Sequence, residues 1–431
     1  MRRSLGFFAG VYAWLLVVAC GGESQRSAGI DAASGGSPSP SAAGAGIGGS
    51  GTGATLGGAI NAGGATSGGR SSVGGNVAAG APGEVAGGAP GEGVGGAPVQ
   101  GGESNQAGAA GELNSPSCDP IVFDDADFEV AVRASVNKPE GALNSADVAG
   151  LTFVATSGIK SIRGAECLKD LTSFDIGGLP WGNVRDLSPL ANLKKLEDVS
   201  VGYNPIASVA PLGNLPKLKQ LFMSRVPVAL DLSPLAESPA LDLLFLESDT
   251  LVDVSPLGSV KTLRTIYLRD ATIQHPKGIA KLTSLEELDA SGVFSDAAPL
   301  ASLTKLKKLR LGRKPLANFS ALASLTDLEF LDINQAQVAD FTPVSKMKKL
   351  RQLSAFGQQA SDLSPLRDLP LLDYLVVIDN QVTDLTPLVQ NPNLGAGDAV
   401  WLQKNPFSCV DQAANIAALK ARGVEVNSDC Q

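Results

Sequence analysis

Between Leu151 and Leu394 the chain sets its apolar residues in two alternating rhythms. Leucine opens each unit at Leu171, Leu196, Leu218, Leu241, Leu263, Leu285, Leu306, Leu328, Leu350, Leu372 and Leu394, in steps of 25, 22, 23, 22, 22, 21, 22, 22, 22 and 22 residues. After Leu196, Val199 and Val201 alternate with polar residues, as in a short strand with one buried face. Leu212 and Leu215 then follow at helical spacing. Between the two rhythms sits Ser or Thr followed by Pro, at Ser188, Ser233, Ser255, Thr342, Ser364 and Thr386. A hydroxyl caps helical amides and Pro suits a first helical position, so this dipeptide predicts a helix start. Each unit thus predicts a strand, a turn and a short helical turn that returns the chain to the next parallel strand. No unit can bury its leucines alone, so stacking must supply the core. The predicted fold is an α/β solenoid, with a parallel sheet on the concave face and short helical turns on the convex face.

The spacing LxxLxLxxNxI followed by DLSPLxxL resembles the 22-residue leucine-rich repeat of the internalin type, over roughly Leu151 to Cys430. That resemblance implies a shared scaffold whose members differ in what they bind. One departure stands out. The asparagine ladder eight residues after the leading leucine is present at Asn204 and Asn380, with Asn405 near the end. Elsewhere the position holds Asp249, Ala271, Val293, Lys314, Ala336 or Gln358. Turn amides and carbonyls there need other partners, so the middle repeats are expected to be less regular.

The ends of a solenoid expose leucines and need covers. Residues 118–150 fit an N-terminal cap: Asp125 or Asp127 starts a helix carrying Phe128, Val132 and Val136, and a second short helix is expected after Asn144 or Ser145. The repeats occupy 151–396 and a C-terminal cap 397–431. That cap holds a strand at Val400-Trp401-Leu402, a turn at Asn405-Pro406-Phe407, a helix from Asp411 to Arg422 and a strand at 424–426.

Composition changes the picture for the first quarter of the chain. Residues 1–20 carry Arg2 and Arg3, then an apolar run from Leu5 to Ala19, too short and wrongly flanked for a membrane span. Val17-Val18-Ala19-Cys20 resembles a lipobox, which implies acylation of Cys20 and a lipid anchor; the other reading is an ordinary cleaved signal with a chance cysteine. Gly21 lacks the neighbouring Asp that holds many lipoproteins at the inner membrane, which favours the outer one. Residues 21–117 contain 31 Gly, 19 Ala and 13 Ser and no aromatic residue. Such a stretch buries too little apolar surface to offset its ordering entropy. It reads as a tether with a span of roughly 50–60 Å.

Five cysteines leave four beyond Cys20, in a chain addressed to an oxidising compartment. Four allow three connectivities. Cys118–Cys167 with Cys409–Cys430 keeps both bridges local and staples each cap, at roughly 3–4 kcal/mol per bridge. The other pairings join opposite ends of an elongated solenoid.

Little catalytic chemistry is present. His275 is the single histidine, at a turn before Pro276, so no histidine metal cluster is possible, and no Walker loop, HExxH or EF-hand loop occurs. Asp186, Asp231, Asp253, Asp340, Asp362 and Asp384 share one place in successive repeats, two residues before the hydroxyl, and read as negative charge near helix N-termini. From Cys118 onward 30 basic and 37 acidic residues give a net charge of −7, which disfavours nucleic acid. No cofactor and no enzymatic activity are expected, and the folded part is expected to be a monomer.

The outward positions of the strands carry the candidate surface. Phe222, Phe245 and Tyr267 stand in consecutive repeats about 5 Å apart, joined by Phe330, Phe356, Tyr374 and Trp401. Arg269, Asp289 and Arg310 are the principal polar neighbours, with Asp198, Glu247, Glu287, Lys308 and Asp332. Two readings stay open: a row of anchors for a protein or peptide, or an aromatic ladder that steadies adjacent strands. The corresponding functions are a non-enzymatic, membrane-tethered binding module, or a structural or glycan-binding envelope component.

Overall fold

The computed structural model describes residues 117–430 except 227–229, 248–250, 270 and 274. The signal-like segment, Cys20 and all of the Gly/Ala/Ser-rich segment but Ser117 lie outside the described residues.

Thirteen parallel strands form one open sheet among the described residues, each paired with the strand of the next repeat, from Phe153–Ala155 to Glu425–Asn427. Most are three residues long, because only the leucine-flanked triplet of each unit alternates. The second residue of each strand points inward. Val199, Leu221, Leu244, Ile266, Leu288 and Leu309 are all wholly buried in successive strands. The residues on either side point to the opposite face. The register is fixed repeat by repeat, for example Phe222 opposite Phe245 and Phe245 opposite Tyr267. A second, two-stranded parallel pair, Leu251–Val252 with Thr272–Ile273, lies beyond the main sheet.

The returning turns are mostly 3-10 helical, as at Ser188–Leu190, Ser255–Ser259 and Ser364–Leu366; among the described residues only Ala210–Gly213 and Thr386–Gln390 close as α-helix. Their capping differs from the sequence expectation. The Ser or Thr hydroxyl accepts no helix amide there. The aspartate two residues earlier accepts the Ser or Thr N–H, at 2.7 Å for Asp186, 2.8 Å for Asp231, Asp253 and Asp362, 2.7 Å for Asp340 and 2.9 Å for Asp384. Asp296 does the same to Ala298 at 2.9 Å, where no hydroxyl exists. This is the local Asx geometry that such residues favour over a helical cap. The hydroxyl instead donates to the carboxylate, as from Ser188 Oγ to Asp186 Oδ2 at 2.7 Å. Those bonds hold the Asp231 and Asp340 carboxyls below their ordinary value, the hydroxyl contributing most and the amide next.

Where the asparagine ladder survives, it joins two adjacent repeats. Asn204 donates to Ile176 O and Gly202 O at 3.0 Å each and accepts from Val184 N at 3.1 Å. Gln358 does the same one methylene further out. It accepts from Val338 N at 2.7 Å and donates to Ile333 O at 2.6 Å and Phe356 O at 2.9 Å. At Ala271, Val293 and Ala336 the residue's own amide closes the turn onto the carbonyl three residues back, at 3.0 Å each.

The N-terminal helix is Ala126–Val136, capped by Asp125, whose Oδ1 accepts from Asp127 N and Phe128 N. Phe128 meets Phe174 edge-on at 6.1 Å, which seats the helix on the first repeats. Residues 145–150 form turns rather than the second helix expected there. The structure joins Cys118 to Cys167 and Cys409 to Cys430, with Cα–Cα distances of 5.6 and 5.4 Å. At the other end the helix Cys409–Ala421 starts at the Ser408 cap, two residues before the expected Asp411, and buries Ile416 and Leu419. Glu425–Asn427 then pairs with Ala399–Trp401 as the last strand.

One edge of the sheet carries a feature absent from the sequence reading. From Leu196 to Leu372 the residue after each leading leucine alternates in sign: Glu197, Lys219, Asp242, Arg264, Glu286, Lys307, Glu329, Arg351, Asp373. Ion pairs join Glu197 to Lys219 at 2.7 Å, Arg264 to Asp242 at 3.6 Å and to Glu286 at 3.0 Å, Lys307 to Glu286 at 2.7 Å, and Arg351 to Asp373 at 2.7 Å. This edge satisfies its own charges.

Candidate interaction surface on the sheet face

The outward residues of the strands form parallel rows, one strand spacing apart. In the central row the Phe222 and Phe245 rings lie 6.3 Å apart, and Phe245 and Tyr267 5.7 Å, tilted by 31° and 38°. The rings were expected to face solvent. They do point away from the core, but each covers the next, and Phe245 and Tyr267 retain only 8% and 9% of their exposure. Tyr267 Oη donates to Glu287 Oε1 at 3.1 Å.

The row continues through Asp289, and here the candidate contact list needs correcting. Asp289 is wholly buried. Arg269 Nε donates to its Oδ2 at 2.8 Å, and Ser291 N and Oγ donate to its Oδ1 at 3.2 and 2.8 Å. Adjacent repeats bring the two opposite charges within reach, so Arg269 and Asp289 serve each other and Asp289 has no surface for a partner. Arg310 comes next. Its guanidinium lies 4.6 Å above the Phe330 ring and pairs with Glu287 Oε1 at 3.3 Å. From Phe222 to Phe330 the strip is one connected set of ring and ion contacts.

Away from this strip the face is open. Tyr374 is 39% exposed, Lys308 projects while pairing with Glu287 at 3.2 Å, and Phe356 and Trp401 are half-buried. Trp401 Nε1 is buried without an acceptor. Burial raises the Asp175, Asp198 and Asp332 carboxyls above their ordinary value. At Asp332 the neighbouring Asp289 adds to the rise and Arg310 opposes it.

The sequence reading missed Leu179 and Trp181, which are 69% and 55% exposed. Their signal was the single 25-residue step, from Leu171 to Leu196. His275 is exposed at the start of the Pro276–Lys281 turn, and no group of three metal-ligating side chains occurs among the described residues.

These features define a leucine-rich-repeat solenoid with an amphipathic sheet face. Among solved structures it is similar to the internalin InlF of Listeria monocytogenes, at 27% identity over 74% of this chain and 98% of that one, with a TM-score of 0.57. It is also similar to a leucine-rich-repeat protein of Leptospira interrogans, at 21% identity over 63% and 76% of the two chains, with a TM-score of 0.50. No protein-family model and no curated protein matches the sequence.

Proposed function

We propose that the chain is a non-enzymatic binding module that holds a protein or peptide along the sheet face, exported and tethered through Cys20 to the outer membrane. One observation carries the reading: a thirteen-stranded sheet turns a row of aromatic and charged side chains away from its core, with Tyr374 39% exposed. Aromatic and Arg side chains are the usual anchors of interfaces. The burial of Phe245, Tyr267 and Asp289 favours the ladder reading for those residues, so the contacts fall to the less buried part of the face, the half-buried Arg310, Phe330 and Trp401 and the exposed Tyr374. The likeness to an internalin supports the scaffold, and the lipobox-like ending of residues 17–20 supports the tether.

The test is cross-linking of the full-length protein in intact cells, in parent and Tyr374→Ala, Arg310→Glu form. A cross-linked partner present with the parent and lost with the double variant, at unchanged protein level, supports the sheet face. Equal cross-linking in both refutes it.

A further inference from the structure

The array breaks its period by the greatest margin once. Eight residues separate Ile176 from Val184, against five from Val201 to Ile206 in the next repeat, and the three extra fall within Gly177-Gly178-Leu179-Pro180-Trp181-Gly182. The neighbouring repeats hold this segment in place. Ser157 Oγ donates to Leu179 O at 3.1 Å, Gly182 N–H to Tyr203 O at 3.1 Å, and Asn183 N–H to Ile159 O at 2.7 Å. A Cβ at Gly182 would overlap the Asn204 side chain, so the segment runs flush against the next turn. What it presents is apolar. Leu179 and Trp181 are exposed, and Trp181 meets Tyr203 edge-on at 5.2 Å. Fixed backbone with large apolar side chains held outward is the composition of a contact site rather than of a solvated turn.

Charge on the adjoining strands says what fits. Asp175 Oδ1 accepts Gly177 N–H at 2.9 Å, which ties it to the same segment, and Asp198 stands on the next strand. Elsewhere the face matches carboxylates with cations: Glu247 with Arg225 at 3.0 Å, Glu287 with Lys308, Asp289 with Arg269. Asp175 and Asp198 make no ion pair among the described residues, and the nearby Lys219 is engaged by Glu197 at 2.7 Å. Two half-buried carboxylates beside an exposed apolar rim complement a cation beside an apolar side chain.

We propose that this rim is the docking site for an extended basic–apolar peptide segment, with an Arg or Lys reaching Asp175 and Asp198 while a neighbouring apolar side chain packs on Trp181 and Leu179. Asp175 and Trp181 are six residues apart, hence at most roughly 20 Å, the reach of about six residues of extended peptide. The proposal rests on the sheet-face reading only for the class of partner, since the rim lies at the opposite end from Tyr374 and Trp401.

The test is fluorescence anisotropy with full-length protein and a labelled, end-blocked peptide of alternating leucine and arginine, beside counterparts with glutamate for arginine and with serine for leucine. The expected result is saturable binding of the first peptide, with both counterparts at least tenfold weaker. Trp181→Ala is expected to weaken it tenfold or more, the isosteric Asp198→Asn about fivefold, and Tyr374→Ala less than twofold, all at parental melting temperature. No saturable binding of the first peptide overturns the proposal, as does equal binding of the glutamate counterpart or an unchanged affinity in Trp181→Ala. Loss in Tyr374→Ala alone moves the peptide to the C-terminal half, which refutes the rim and leaves the sheet-face reading standing. Loss of cross-linking in the Tyr374 and Arg310 variant with intact rim binding separates the two in the other direction.

Discussion

Replacing Phe245 by Ala tests whether the central row is a packed layer or a loose fringe. A side chain standing on the solvent side of a strand would ordinarily cost roughly 0.2–1 kcal/mol to truncate, the worth of a cross-strand pair. Phe245 is 8% exposed, however, and has a ring on each side, at 6.3 and 5.7 Å. Burying a Phe side chain stabilises by about 1.5–3 kcal/mol, and each aromatic pair adds about 0.5–1.5 kcal/mol. The gap left behind opens to water and can be filled by it, so the cavity contribution of a closed core is missing. The expected loss is therefore about 2.5–6 kcal/mol, overlapping the roughly 2–5 kcal/mol expected for Leu244→Ala in the core. A lysine scan separates the two faces where alanine does not. At position 245 the stem lies along the row and the ammonium reaches water; at position 244, wholly buried, the charge has no exit. Urea unfolding monitored by circular dichroism reads all four variants. A loss below 1 kcal/mol for Phe245→Ala refutes the packed layer, and equal tolerance of lysine at 244 and 245 refutes the assignment of faces.

Three further outcomes are expected. Cys20→Ser moves the protein from the membrane to the soluble fraction, and persistence in the membrane pellet places the anchor elsewhere. Peptide mapping of exported protein without reduction returns Cys118 linked to Cys167 and Cys409 linked to Cys430; a peptide joining Cys167 to Cys409 contradicts the cap arrangement. Asp332→Asn stabilises the protein at neutral pH, because burial raises that carboxyl and the amide oxygen can keep the 2.9 Å bond from Asn334 N. A raised folded-state value means the native state holds the proton more tightly, so the parent gains stability as pH falls from the raised value towards about 3.9, and the advantage of the variant shrinks over that window. An advantage that is constant with pH refutes the link to titration.

The period and the inward leucines made the fold readable from the chain alone, since a solenoid core is a sum of identical neighbour contacts. What escaped is what depends on contact between repeats. The Asp-Leu-Ser-Pro motif marks a turn start either way, but only coordinates show that Asp186 rather than Ser188 accepts the amide. Gln358 breaks the asparagine pattern in letters and keeps it in bonds. Asp289 looks like an exposed polar position by spacing; its burial accompanies the pairing with Arg269, two residues beyond the preceding strand, a pairing visible only once the register is known. At the rim the opposite holds. Trp181 breaks the period, and a reading built on the period passes over it.

The alternating charges along one edge set a rule about length. Exposed pairs of this kind are worth only about 0.2–1 kcal/mol each, so the row adds little to the total stability. Its pattern nevertheless repeats every two units, about 44 residues, while the leucines repeat every one. Excising the single unit that carries Arg264 would set Asp242 beside Glu286, and every such excision between the units of Lys219 and Arg351 leaves two like charges adjacent. Excising two consecutive units rejoins opposite signs. By its leucines the array can grow or shrink one repeat at a time; by its edge charges it counts in pairs.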